Sequence, residues 1–105
     1  MDIEKTAKKI IELQELAKNK FRTYEECITA NVDLTNILAD IQYELDIEYA
    51  NIVRRPDMQD KPTNYVERIY KAETAELRRL LTLAKSLKHI FVNLEYFFTK
   101  WGKKW

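Results

Sequence analysis

The chain has 105 residues, 46% of them hydrophobic and 33% charged, with a formal net charge of +1. That length makes one domain, and that balance excludes both a disordered chain and a membrane-spanning one. One Gly and two Pro leave little material for strands and tight turns, so the composition predicts an all-α fold. The single cysteine, Cys27, excludes an intramolecular disulfide and suits a reducing compartment. The opening Asp2-Ile3-Glu4-Lys5 is polar, unlike the apolar stretch of a secretory leader. No apolar run approaches the roughly 20 residues of a membrane crossing, so a cytoplasmic location is expected.

The first helix is expected over about residues 2–19, capped by Asp2, with Ile3, Ala7, Ile10, Ile11, Leu13, Leu16 and Ala17 on its apolar side. Lys18-Asn19-Lys20 weakens the pattern, and Thr23-Tyr24-Glu25-Glu26 reads as a capping box that restarts a helix. The second helix then covers about 23–53, with the stripe Cys27, Asn31, Leu34, Leu38, Ile41, Leu45, Glu48 and Ile52. Pro56 disfavours a helical Arg55, so residues 54–62 form the loop. A short loop between long helices makes them antiparallel neighbours.

The third helix is the longest, expected over about 63–101. Val66, Tyr70, Glu73, Leu77, Leu80, Ala84, Leu87, Phe91, Leu94, Phe98 and Trp101 recur at alternating steps of three and four, a heptad stripe. Asn64 with Glu67 offers a capping box at its start. Gly102, the only glycine, offers a terminator, and Lys100, Lys103 and Lys104 suit the negative end of the helix dipole. At about 1.5 Å per residue this helix spans roughly 54 Å, against about 34 Å for a compact globule of this chain length. A second row, Ile69, Leu83, Ile90 and Phe97, widens the apolar face beyond what one partner helix covers. The expected fold is therefore an elongated antiparallel helical hairpin or three-helix bundle, packed like a coiled coil. Leu77, Leu80, Leu83, Leu87, Ile90, Phe91, Leu94 and Phe98 are the expected interface with further copies in a homo-oligomer.

Charge is unevenly placed. Residues 1–53 carry six Lys/Arg and eleven Asp/Glu, and residues 54–105 carry twelve and six. From Thr23 to Val53 there are seven acids and no base. Pairing of an acidic helix with a basic one, within a chain or between chains, is the simplest reading.

Two stretches are candidates for chemistry. If the hairpin turns near Met58, residues whose numbers sum to about 116 lie side by side, and Glu44, Glu48, Glu73 and Glu76 converge. Facing carboxylates of this kind hold metals in helical bundles. Glu73-Thr74-Ala75-Glu76 resembles the ExxE fragment of the all-α nucleoside triphosphate pyrophosphohydrolases, which implies a magnesium-dependent enzyme. Asp40, Glu44 and Glu48, at steps of four, depart from the acidic pair of that family. The alternative for these acids is ordinary ion pairing, Glu48 with Arg68 or Lys71 and Asp40 with Arg79. His89, the only histidine, has no Ser or Cys placed to complete a triad, and Cys27 reads as a small core residue. No P-loop, GxGxxG or CxxC is present, and neither a catalytic residue nor a cofactor is expected.

The other stretch is the tail. Lys100, Trp101, Lys103, Lys104 and Trp105 interleave aromatics with lysines, as stacking platforms and phosphate contacts for single-stranded nucleic acid do. The same residues also suit a bundle end, a membrane interface with Trp and Phe inserted and Lys at the head groups, or protein docking. Arg78, Lys85 and Lys88 share an outer face that fits either a phosphate backbone or an acidic partner helix.

Lys61-Pro62-Thr63 leads into a long charged helix that ends in the run Leu87 to Tyr96. This pattern, over Lys61 to Phe98, resembles the small helical-hairpin proteins of bacteriophage early and recombination gene clusters. The resemblance implies a host-cell cytoplasmic setting in DNA metabolism, without a mechanism. The expectation is a non-enzymatic, self-associating helical protein, an accessory factor acting through a protein partner or single-stranded nucleic acid. The rivals are the magnesium enzyme above and a structural assembly subunit.

Overall fold

The structure, a computed structural model, describes residues 1–101, the side chain of Trp101 excepted. These residues form α1 (Ile3–Lys18), α2 (Tyr24–Val53), a 3-10 turn (Pro56–Met58), α3 (Thr63–Glu73) and α4 (Ala75–Trp101). The molecule is a rod of 64 × 24 × 16 Å with a radius of gyration of 17.9 Å, well above the roughly 13 Å of a compact chain of this length.

Local signals start the first two helices. Asp2 Oδ1 accepts from Lys5 N–H at 3.1 Å. Thr23 and Glu26 form the full reciprocal box: Glu26 N–H donates to Thr23 Oγ1 at 3.1 Å, and Thr23 N–H donates to Glu26 Oε1 at 2.9 Å. Between them Asn19 closes a local turn onto Phe21 N–H. Arg22 folds back to donate to Asn19 O at 2.6 Å, satisfying a carbonyl that the end of α1 leaves free.

The start of α3 differs from the expected box. Pro62 is the residue ahead of the helix, in extended conformation, and no side chain caps it. Asn64 already lies inside the first turn, where its side chain does not serve that role. Gly102 lies outside the described residues.

The expected single helix over 63–101 is interrupted at Thr74. There φ is −110° and ψ is 17°. Thr74 Oγ1 donates to Tyr70 O at 2.6 Å, a carbonyl that also accepts from Thr74 N–H at 3.0 Å. Such back-bonding by threonine bends helices. Arg78 Nη2 reaches back to Lys71 O at 2.6 Å, occupying a carbonyl at the end of α3. The break also resets the stripe. Glu73, expected in the seam, is exposed and pairs with Arg55, while Thr74 is buried.

Helices α2 and α4 run antiparallel through one apolar seam. Leu34, Ile41 and Leu45 of α2 meet Leu77, Leu80, Ala84, Leu87 and Phe91 of α4, joined by Ile10 and Leu13 of α1. The α1 direction follows from its ion pairs. The Met1 amine lies 3.8 Å from Glu44, and Lys9 Nζ lies 3.4 Å from Asp33, so α1 is antiparallel to α2 and parallel to α4. A three-helix bundle thus fills the middle of the rod. A smaller cluster of Ile52, Met58 and Val66 closes the loop end.

Four of the eight residues expected at a contact between copies, Leu77, Leu80, Leu87 and Phe91, are buried inside the single chain. Truncating one buried leucine costs about 2–5 kcal/mol, against a total stability of about 5–15 kcal/mol for a domain. Leu80→Asp combined with Leu87→Asp is therefore expected to abolish the helical circular-dichroism signal. A folded monomer with both changes would contradict this packing.

Candidate functional site

The register of the hairpin decides which side chains meet. Tyr24 packs on Phe98 with ring centroids 5.9 Å apart, and Asn31 bonds to Phe91 O at 3.1 Å. These α2–α4 pairs sum to 122, not 116, whereas Tyr49 of α2 and Tyr70 of α3, with ring centroids 5.3 Å apart, sum to 119. The offset therefore grows across the break at Thr74, which lies between the two sets of pairs.

That shift and the Thr74 break separate the four acids expected to converge. Glu44 lies beside the Met1 amine. Glu73, at the end of α3, holds Arg55 at 2.9 Å. Glu76, across the break in α4, holds Arg79 at 2.7 Å. This bond keeps the Glu76 carboxyl below its ordinary range and raises Arg79, and the Glu73 bond raises Arg55. Glu48 and Asp40 make none of the pairings expected with Arg68, Lys71 or Arg79. Among the described residues no group of three or more His, Cys, Asp or Glu is placed to hold a metal ion. His89 lies on the surface within 3.3 Å of Asn93 Nδ2.

The polar feature whose partners the periodicity did not reveal is Asn31, which the expected stripe already contained and which is buried in the α2–α4 seam. Its Nδ2 donates to Phe91 O at 3.1 Å and to Glu95 Oε2 at 2.6 Å, and its own carbonyl accepts from Lys88 Nζ at 3.1 Å. Its Oδ1 is buried without a donor. An Asn within an apolar stripe was the available signal; its partners sit 57 to 64 residues away, beyond the reach of a periodicity argument.

The expected acidic-to-basic pairing takes a different form. Among the described residues no ion pair joins α2 to α4; of the acids of α2, Asp33 pairs with Lys9 of α1 and Glu44 with the Met1 amine ahead of it. Of the basic face, Arg78 is tied to Lys71 O and Lys88 to Asn31 O, while Lys85 is exposed. Lys100 Nζ sits over the Tyr96 ring, 5.7 Å from its centroid. The remaining tail candidates, the Trp101 side chain with Lys103, Lys104 and Trp105, lie outside the described residues.

The exposed apolar surface is the more extensive feature. A groove of about 380 Å³ separates α1 from α4, walled by Ala17 and Lys18 on one side and Leu83, Ser86, Leu87 and Ile90 on the other. Beyond the last turn of α1 the same row of α4 continues as Leu94 and Phe97. Ile90 is 41% and Phe97 55% exposed, and Phe21, in the connection after α1, is 89% exposed. Leu83, Leu94 and Phe98 are half-buried. No described helix is long and apolar enough to cross a membrane.

Cys27 is fully buried, and burial pushes its thiol above the ordinary range; Arg22 opposes the rise, while Glu26 and Glu95 add to it. Because the raised value belongs to the folded state, this burial favours folding at pH below the ordinary thiol range. The contribution is lost as pH rises through the raised value. Cys27 is expected to resist a thiol reagent at mildly alkaline pH and to react fully in denaturant. Rapid labelling of the folded chain would contradict its place in the core.

Comparison of the chain with protein-family models, with curated proteins and with solved structures finds no match.

Proposed function

We propose that the chain is a non-enzymatic helical interaction protein that self-associates along the side of the rod where α1 ends. The observation that carries this reading is the α4 row that lines the groove beside α1 through Leu83, Leu87 and Ile90 and then runs on, through Leu94 and Phe97, beyond the end of α1. Its exposed Ile90 and Phe97, and Phe21 exposed in the connection after α1, are large apolar side chains of the kind that mark interaction sites. The resemblance of Lys61 to Phe98 to phage helical-hairpin proteins supports an accessory role in phage or mobile-element DNA metabolism.

A second reading, contact with single-stranded nucleic acid, has its own support. Lys85, His89, Asn93, Tyr96 and Lys100 follow one another at helical spacing on α4, all exposed and with no acid among them. The row leads into the Trp and Lys residues of the tail. Cations contact phosphates and aromatic rings stack on bases.

Sedimentation velocity tests the first reading. The 12.6 kDa chain is expected to form larger species as its concentration rises, and Phe21→Ser with Ile90→Lys is expected to reduce them while preserving helical content. A wild-type chain that stays monomeric throughout would overturn the reading. Titration with a single-stranded oligonucleotide tests the second. Trp101 and Trp105, the only tryptophans, are expected to be quenched saturably, with a midpoint that weakens as salt rises. An unchanged emission at low salt would remove that reading.

A further inference from the structure

Helix α2 carries large apolar side chains on two sides, a full core row on the inner side and the pair Val32 and Tyr43 on the outer. Its inner side supplies Cys27, Leu34, Ile41 and Leu45 to the core. Its outer side carries Val32, Asn36, Ala39 and Tyr43, at steps of four, three and four, so that they share one face. All four are exposed, Val32 at 56% and Tyr43 at 68%. Docking of a further surface on this side would remove Val32 and Tyr43 from water, with the polar Asn36 and the small Ala39 between them.

The charge on α2 names the chemistry of that partner. Tyr24–Val53 contains no Lys or Arg. Asp33 is engaged by Lys9 of α1 and Glu44 by the Met1 amine, and Asp40 shares a surface pocket with Lys5 and Lys9, whereas Glu25 and Asp46 remain exposed beside the outer face. Solvent faces of helices usually interleave both signs. A single-sign face with an apolar centre fits an apolar surface bordered by cations.

The groove between α1 and α4 is such a surface. Ala17, Leu83, Leu87 and Ile90 supply its apolar wall, Lys18 stands at its edge, and none of its lining residues is acidic. Lys20, two residues on, is also exposed. We propose that the outer face of α2 from one copy docks on the α1–α4 groove of a second copy. This rests on the self-association reading above and specifies its geometry. The two surfaces differ, so the contact is heterologous, and each added copy presents a fresh face of either kind. Assembly is then open-ended, and its charged component weakens as the Debye length falls from about 10 Å at 0.1 M salt to about 3 Å at 1 M.

The test uses two surface variants of the full chain in sedimentation velocity, each checked for helical content. Tyr43→Lys blocks the α2 face alone. Lys18→Glu with Ser86→Glu blocks the groove alone. The wild type is expected to grow in mass with concentration, and to do so less in high salt. Each variant alone is expected to remain a single chain. An equimolar mixture is expected to give a species of two chains and nothing larger, because one intact face of each kind remains. If Tyr43→Lys loses helical signal, Val32→Lys replaces it. A monomeric wild type overturns self-association and this contact together. A wild type that assembles, with a folded α2-face variant that assembles equally, overturns this contact alone. Two monomeric variants whose mixture stays monomeric likewise overturn the heterologous contact.

Discussion

The apolar seam between α2 and α4 is the contact on which the other elements depend. Leu34 and Ile41 from one side and Leu80, Ala84 and Phe91 from the other are almost fully buried there, while α1 is a shorter helix laid into the groove the pair creates. Burial of a side chain of this size contributes about 1.5–3 kcal/mol relative to exposure. Apolar contacts alone tolerate slippage by a heptad, and Asn31 works against it. Its amide hydrogens meet Phe91 O and Glu95; a slip would leave them against apolar side chains, at a cost of about 1–3 kcal/mol for each unsatisfied group. One polar residue in an apolar seam is a known way to specify register at some expense of stability. The unpartnered Asn31 Oδ1 is consistent with such an expense.

Charge plays a different part from the one its distribution along the chain suggests. The acidic second helix and the basic last helix are neighbours, yet apart from Glu95 and Lys88 at Asn31 their contact is apolar, and among the described residues no ion pair joins them. Exposed ion pairs contribute only about 0–1 kcal/mol each, so apolar burial sets how the two helices face one another. The charges left over then lie on separate surfaces, acidic on α2 and basic along α4. That separation gives the rod sides of unlike character, which is the physical basis for reading it as an interaction protein.

Thr74 shows how one side chain alters a long regular element. Its hydroxyl occupies Tyr70 O within its own helix, the chain bends, and the seam residue changes from Glu73 to Thr74. The bend separates two carboxylates that a straight helix would place on one side. Arg55 and Arg79 then each take one of them. The same break lets α3 pack Val66 against Ile52 and Met58 and close the loop end of the rod.

Much of this molecule was legible in the residues themselves. Composition and three-four periodicity determine the helices, because helix formation depends on neighbours within a turn. The Asp2 cap and the Thr23–Glu26 box determine where two of them begin, since those bonds close within three residues. The elongated shape follows from helix length alone. The candidate surfaces were only half visible. Leu83, Ile90 and Phe97 stood out as a second apolar row, but which apolar row is buried in the chain and which remains exposed depends on where α1 stops and how it is laid against its neighbours. The register of the hairpin, the break at Thr74, the partners of Asn31 and the separation of the acids were decided by tertiary structure. Each depends on contacts between residues far apart in the chain, or on competition between a local hydrogen bond and distant packing, and local periodicity carries neither.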